Sequence, residues 1–256
     1  MEYRCAITKK MKAVSDLLFD AFVGMDNCIS DTGRNLIVEV PKNKCDEVRS
    51  ALKQEYQDVA LIKNAYPMID DLHDFILVKP MITESPVIYT EGVSVPELEK
   101  LLVDQDSDKE YSSLDDTFIQ KEFQRAFELY PVNTSRLLRY AGRKGKKEEI
   151  LNRIGRIDKE RVDIVRNIQS YFLEAPVEKA WLFGSFSRME EKANSDIDIL
   201  VNLDRSARLG LLDFARMVNA LEKRVKRKVD LVEESSVKPF ASENINKEKV
   251  LVYERT

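Results

Sequence analysis

The chain has 256 residues, with 41 basic against 45 acidic side chains, one histidine and three cysteines. It holds no run of about 18 apolar residues that would span a membrane, and its opening MEYRCAITKKMK lacks the apolar core of a signal peptide. Cys5, Cys28 and Cys45 lie at no zinc-like spacing and His73, beside Asp71 and Asp74, reads as a surface or partly buried residue, so structural zinc and histidine-based catalysis are excluded and a cytoplasmic protein of two modest domains is expected.

In chain order, RNLIVEVP reads as a strand, CDEVRSALKQEYQ as a helix, and VALIK and DFILVKP as further strands. A more helical stretch follows from Val95: PELEKLLVDQ, DTFIQKEFQRAFELY and TSRLLRYAGRK have helical spacing, with Ser94 and Asn133 as N-caps. Between them, residues 105–116, rich in Asp and Ser, read as a mobile surface loop. Charge is uneven along the chain, with 15 basic and 25 acidic residues in 1–130, 11 and 5 in 131–170, and 15 of each in 171–256. The basic stretch carries Arg136, Arg139, Arg143, Lys144, Lys146 and Lys147. Two readings stay open for it: a phosphate-contacting patch for nucleic acid, or a solvated helix end, with Gly142 and Gly145 as stop signals. The helix ending at Pro131 and the basic helix from Asn133 also have a helix-turn-helix spacing, although Leu137, Leu138 and Tyr140 fit ordinary packing equally well.

The runs LIVEVPKNKCDEVRSALKQEYQDVALIKN, DFILVKPMITESPV, GVSVPELEKLLVD and ELYPVNTSRLLRYAGRKGKKEEI resemble, over roughly residues 30–152, the part of AbiEi-type abortive-infection antitoxins that follows their winged helix-turn-helix. The stretch upstream reads as too short for such an element, so autoregulation through it is not expected. The resemblance implies a regulatory or acceptor-presenting role for residues 1–150, with positive charge where the basic stretch lies.

Chemistry concentrates in LFGSFSRMEEKANSDIDILV: an apolar strand, Gly184-Ser185, ten residues, then Asp196-Ile197-Asp198 entering a second apolar strand. Desolvated carboxylates in such a strand require a partner. Residues two apart on a strand share a face at about 7 Å between Cα atoms, near enough to hold one or two divalent ions. With no His or Cys nearby the oxygen donors favour Mg²⁺ or Mn²⁺. Asp230 in RKVDLVEE sits on another short apolar strand placed to supply a third carboxylate. Gly184 lets backbone approach a phosphate, Ser185 opens a helix whose N–H groups favour an anion, and Arg188 adds charge.

This constellation, with the helices DKERVDIVRNIQSYF and LLDFARMVNALEKRV, the strand VDLV and the closing KPFASENINKEKVLVYER, resembles the minimal nucleotidyltransferases of the DNA polymerase β superfamily, of the antitoxin type, over about residues 158–256. The resemblance implies an α/β fold with a mixed sheet flanked by helices, and Mg²⁺ held by Asp196, Asp198 and Asp230. It also implies NTP phosphates on Gly184 and Ser185, and transfer of a nucleoside monophosphate to a hydroxyl with loss of pyrophosphate. Two ions would be bridged by Asp196 and Asp198, with Asp230 serving only the nucleophile side. Where the family has Gly after the loop arginine this chain has Met189, which is read as a change in the turn.

The sequence therefore predicts two domains, 1–150 and a nucleotidyltransferase over 151–256. ATP is the expected substrate, and the acceptor is a hydroxyl of a partner toxin protein or of RNA, in a prokaryotic toxin–antitoxin or phage-defence setting. The rival is a nucleic-acid- or toxin-binding regulator with a vestigial transferase. Tyr171, Phe172, Trp181 and Phe186 are candidates for base stacking or for core packing, and Tyr111, Tyr130 and Tyr140 for self-modification.

Overall fold

The computed structural model describes residues 3–32, 35–62, 75–108, 111, 114–192, 195–207 and 209–255, and His73 lies outside them. By contacts the chain divides into two compact units, one of residues 2–123 and 132–156, the other chiefly of 124–131 and 157–256. The division departs from a single cut near residue 150. Residues 124–131 join the second unit because Gln124 bonds the Asp158 backbone, Glu128 holds Arg161, and Leu129 enters that unit's core.

The N-terminal unit opens with α1 (Lys9–Ala21), which presents Met11, Val14 and Leu18 to the core on one stripe; the Thr8 side chain caps it, accepting the Met11 N–H. Strands β1 (Cys28–Asp31) and β2 (Leu36–Val40) are antiparallel, and α2 (Cys45–Glu55) follows. Next come β3 (Val59–Leu61) and β4 (Ile76–Pro80); both β2 and β3 run parallel to β4, so the sheet order is β1-β2-β4-β3. β2 is buried at every position, which suits LIVEV except at Glu39. β5 (Val87–Thr90) and β6 (Val93–Pro96) form a hairpin whose turn residues Glu91 and Gly92 have φ of +50° and +86°, the sense that matches strand twist. Ser94, expected as a helix cap, lies inside β6. The helix it was to cap, α3 (Leu98–Ser107), starts after Glu97 instead.

Helix α4 (Asp116–Leu129) carries residues of both units. α5 (Thr134–Arg143) is capped by Asn133, whose side chain accepts the Arg136 N–H at 3.0 Å, and α6 (Lys147–Gly155) completes the N-terminal unit.

The described part of residues 105–116 is not a solvated loop. Asp104 and Asp106 are on α3, and Asp104, Asp106 and Asp108 are all engaged in ion pairs. Burying three carboxylates demands cations, which arrive from distant sequence. Lys100 reaches Glu39 at 2.6 Å and also Asp104, Lys79 reaches Asp108 at 2.7 Å, Lys144 binds both Asp104 and Asp108, and Arg153 reaches Asp106 at 2.6 Å. Burial alone would lower the Lys100 ammonium, yet Glu39 and Asp104 hold it well above its ordinary value.

The second unit is built on α7 (Lys159–Phe172), β7 (Val177–Phe183), α8 (Gly184–Arg188), β8 (Ile197–Leu203), α9 (Leu211–Val225), β9 (Val229–Glu233), α10 (Pro239–Glu248) and β10 (Val250–Glu254). Sheet order is β10-β7-β8-β9, antiparallel except for the β8–β9 pair. Ile164, Val165, Ile168 and Phe172 form the buried stripe of α7, and Met217, Leu221 and Val225 that of α9. Both stripes share one core with Ile197, Ile199 and Val201 of β8, all fully buried. Alternation then sends Asp198 to the opposite face of the sheet.

Candidate active site

Strand register assembles the carboxylates. Asp198 is the partner of Phe183 on β7 and of Asp230 on β9, so the Asp198 and Asp230 side chains share a face on adjacent strands about 4.8 Å apart. Asp196 stands two residues before Asp198, just ahead of β8, and is exposed, as is Asp230 at the sheet edge. Among the described residues none of the three has a cationic ion-pair partner. The Asp198 carboxyl is raised, first by burial and then by the negative charges of Asp230, Asp196 and Glu248.

Among the described residues no three His, Cys, Asp or Glu side chains form a ready-made metal shell. The carboxylates are neighbours without converging on one point, which like charges resist. Two observations nonetheless fit them to a divalent cation. Their mutual repulsion is uncompensated by any lysine or arginine ion pair, and all the donors are hard oxygens.

The loop before Asp198 is shaped around it. Gly184 has φ +66°, and a Cβ there would meet Asp198 Oδ2 and stand 3.0 Å from its Cγ. Glycine is therefore required twice over, by backbone conformation and by space. α8 begins at Gly184, with Ser185 second, and Ser187 Oγ donates to the Gly184 carbonyl at 2.9 Å. Met189 follows with φ +59° and ψ +40°, the left-handed conformation that glycine adopts most easily. Methionine takes this glycine-like geometry and carries its strain. Arg188 is ion-paired with Glu190 at 2.8 Å and with Glu248.

Three further residues support this loop and carry no motif-level signal. Arg161, 8 % exposed, donates from Nε to Glu128 at 2.7 Å and from Nη2 to the Phe186 carbonyl at 3.0 Å, and also pairs with Glu191. Its guanidinium stacks 4.0 Å over the Phe186 ring. Arg227 donates to the carbonyls of Ser195 at 2.6 Å and Lys192 at 3.2 Å, fastening the segment that leads into Asp196. Glu248, the last residue of α10, accepts the Gly184 N–H at 3.1 Å. An arginine on the polar edge of a buried helical stripe, as at Arg161, was the one available clue.

Other predicted residues fall elsewhere. Phe172 and Phe186 are fully buried core. Tyr171 packs edge-on against Phe172 with Arg224 over its ring, and Lys249 lies 4.5 Å over Trp181. Tyr140 is 1 % exposed, donates to Asp104 at 2.9 Å and has its phenol raised by burial, so it is no modification site; burial raises Tyr111 as well, and Tyr130 is half-buried. In the basic stretch Lys144 is buried between Asp104 and Asp108, Arg136 pairs with Glu97, Arg143 with Glu84 and Lys146 with Glu149. Arg139 and Lys147 are exposed. Leu137 and Tyr140 are buried, as ordinary packing requires. A cavity of about 470 Å³ lined by Asn202, Asp204, Glu233 and Glu234 lies at the far ends of β8 and β9 and shares no residue with the carboxylate cluster.

The carboxylate trio and the glycine turn that opens a short helix lie in the unit whose sequence matches a nucleotidyltransferase family. Residues 166–256 match the family described as polymerase beta, nucleotidyltransferase, and the second unit is a nucleotidyltransferase of that type. Residues 2–160 match a family of unknown function, DUF6577, and the chain belongs to that family. Over 88 residues the chain is 36 % identical to the "Putative protein adenylyltransferase MJ0435" of Methanocaldococcus jannaschii, covering 34 % of this chain and 92 % of that one. A second protein of the same description from that organism, MJ1379, is 33 % identical over 72 residues, 28 % of this chain and 72 % of its own. A crystal structure of a toxin–antitoxin with AMP-PNP aligns at 21 % identity and TM-score 0.32, covering 36 % of this chain and 74 % of that chain. Among the described residues no helix is long and apolar enough to cross a membrane.

Proposed function

We propose that this protein transfers AMP from ATP to a protein hydroxyl, most simply a tyrosine. The observation that carries the reading is the row of Asp196, Asp198 and Asp230, without a lysine or arginine ion pair among the described residues, beside a glycine turn too tight for a side chain. The name of the two archaeal relatives, protein adenylyltransferase, supports AMP and a protein acceptor.

Asp196, Asp198 and Asp230 would hold Mg²⁺ or Mn²⁺, which when bound supplies charge neutralisation for the triphosphate and lowers the pKa of an attacking hydroxyl. The chain's own groups do the rest. Gly184 offers a backbone N–H without a Cβ in the way, Ser185 and Arg188 add donors for the phosphates, and Arg161, through Phe186 and Glu191, holds the loop still. Asp230, exposed on the edge strand, faces the acceptor. A bond forms from the hydroxyl oxygen to the α-phosphorus as the α–β anhydride breaks; pyrophosphate leaves with the electron pair, and Asp230 takes the hydroxyl proton.

Residues 1–150 act in this reading as the part that presents or restrains the acceptor, in a toxin–antitoxin or phage-defence setting, as their likeness to AbiEi-type antitoxins suggests. A protein acceptor is favoured over RNA because Lys144, central in the basic stretch, is spent on Asp104 and Asp108.

The test is label transfer from each α-³²P NTP, with Mg²⁺ or Mn²⁺, to the protein itself, to total cell protein and to total RNA. Label from ATP in a protein band, lost in Asp196→Asn/Asp198→Asn, supports the reading. Label in RNA would move the acceptor class, and none in any fraction from folded protein would leave a binding module.

A further inference from the structure

Glu248 ends α10 immediately before β10, with its side chain 24 % exposed. Oε1 accepts the Gly184 N–H at 3.1 Å and Oε2 accepts from Nη1 of Arg188. These are two of the donors that the preceding section assigns to the nucleotide phosphates, and one carboxylate already holds both. An anion with one oxygen on a backbone N–H and another on a guanidinium is what a bound phosphate group would also be.

The placement works against local electrostatics. Glu248 adds to the negative charge around Asp198, beside Asp196 and Asp230. Its counterweight is an arginine that is 44 % exposed and shared with Glu190, and such a pair is weak. A carboxylate held this way resists a polyanion poorly.

We propose that Glu248 is a built-in competitor for the nucleotide: its carboxylate occupies Gly184 N–H and Arg188 in the nucleotide-free chain, and an incoming triphosphate displaces it. The proposal rests on the reading of Gly184 and Arg188 as phosphate donors. It differs in sign from the two ordinary roles for such a residue. A carboxylate that helped to hold a cation, or that stapled the loop in its working shape, would strengthen nucleotide binding; a competitor weakens it.

The experiment is calorimetric titration of the full chain with the α,β-methylene analogue of ATP and Mg²⁺, on wild type, Glu248→Gln, Glu248→Ala, Gly184→Ala and Arg188→Met, with circular dichroism to establish folding. If Glu248 blocks the donors in most molecules, its removal raises apparent affinity by about tenfold, since apparent affinity scales with the open fraction. Both Glu248 variants should bind tighter by that factor, and KM for ATP in label transfer should fall similarly. Unchanged or weaker binding in both folded variants overturns the proposal. The phosphate assignment is judged separately. If wild type binds and Arg188→Met does not, the assignment stands and the result bears on Glu248 alone. If Arg188→Met and Gly184→Ala both bind like wild type, or if no form binds the analogue, the assignment falls and the proposal with it.

Discussion

In the N-terminal unit Glu39 and Asp104 are buried and Asp108 is nearly so, and each meets two lysine ammonium groups supplied by α3, β4 or the end of α5. In the transferase unit Asp196, Asp198 and Asp230 have no such ion-pair partner among the described residues, and burial followed by their mutual repulsion raises the Asp198 carboxyl. The first cluster is complete: three lysines offset three acids, so its charges serve the fold. The second has no ion-paired lysine or arginine among the described residues, and in the proposed reading a divalent cation completes it. Buried charge needs compensation in either case; the difference between a structural and a functional carboxylate is whether the chain itself provides it.

That contrast can be broken by exchange of outcomes. The largest effect is expected for Asp196→Asn/Asp198→Asn. Loss of several kcal/mol of transition-state stabilisation should lower label transfer by about 10³-fold or more, while thermal stability stays level or rises as repulsion is relieved. Lys100→Met should do the reverse, destabilising the N-terminal unit by about 3–5 kcal/mol in denaturant unfolding, because Glu39 and Asp104 are left buried with less compensation. A stable Lys100→Met or an unfolded aspartate double mutant would erase the distinction.

Gly184→Ala tests the closeness of the loop to Asp198. With the new Cβ against Asp198 Oδ2, nucleotide transfer should drop by about 100-fold, equivalent to about 2.7 kcal/mol, read as initial rate at saturating acceptor. Acid should separate the clusters as well. Burial opposes ionisation of Asp108, but Lys79 and Lys144 outweigh it and hold its carboxyl below the usual range. A depressed acid adds stability that is fully present above the unfolded value, about 4, and is lost as pH falls through the lower folded value. Thermal melts below about pH 4 should therefore weaken the N-terminal unit, and Asp108→Asn should flatten that dependence. The smallest effect is Met189→Gly, which relieves a left-handed non-glycine residue and should stabilise by about 1 kcal/mol in the same melts.

Much of this was legible along the chain. The helix LLDFARMVNALEKRV spans Leu211–Val225 as read, DKERVDIVRNIQSYF covers α7 with its Asp158 cap, and the Gly-Ser to Asp-any-Asp spacing located Gly184, Asp196 and Asp198. What stayed hidden depended on pairing across long separations. Ser94 looked like a cap because a hairpin strand and a helix start share polar residues, and tertiary pairing placed it in β6. The acidic stretch 105–116 reads as a surface loop because nothing in its own composition announces Lys79 or Lys144.

The sequence by itself determined the periodic elements and the local motif, since spacing, caps and turn residues act over a few positions. Only the tertiary structure decided which carboxylates have cations beside them. It set Asp198 against Asp230 through strand register, brought Arg161 and Glu128 under the loop, and laid Glu248 on Gly184. Those contacts join residues 32 to 64 positions apart, and the energies that hold them depend on distance in space and on burial, which no local pattern encodes.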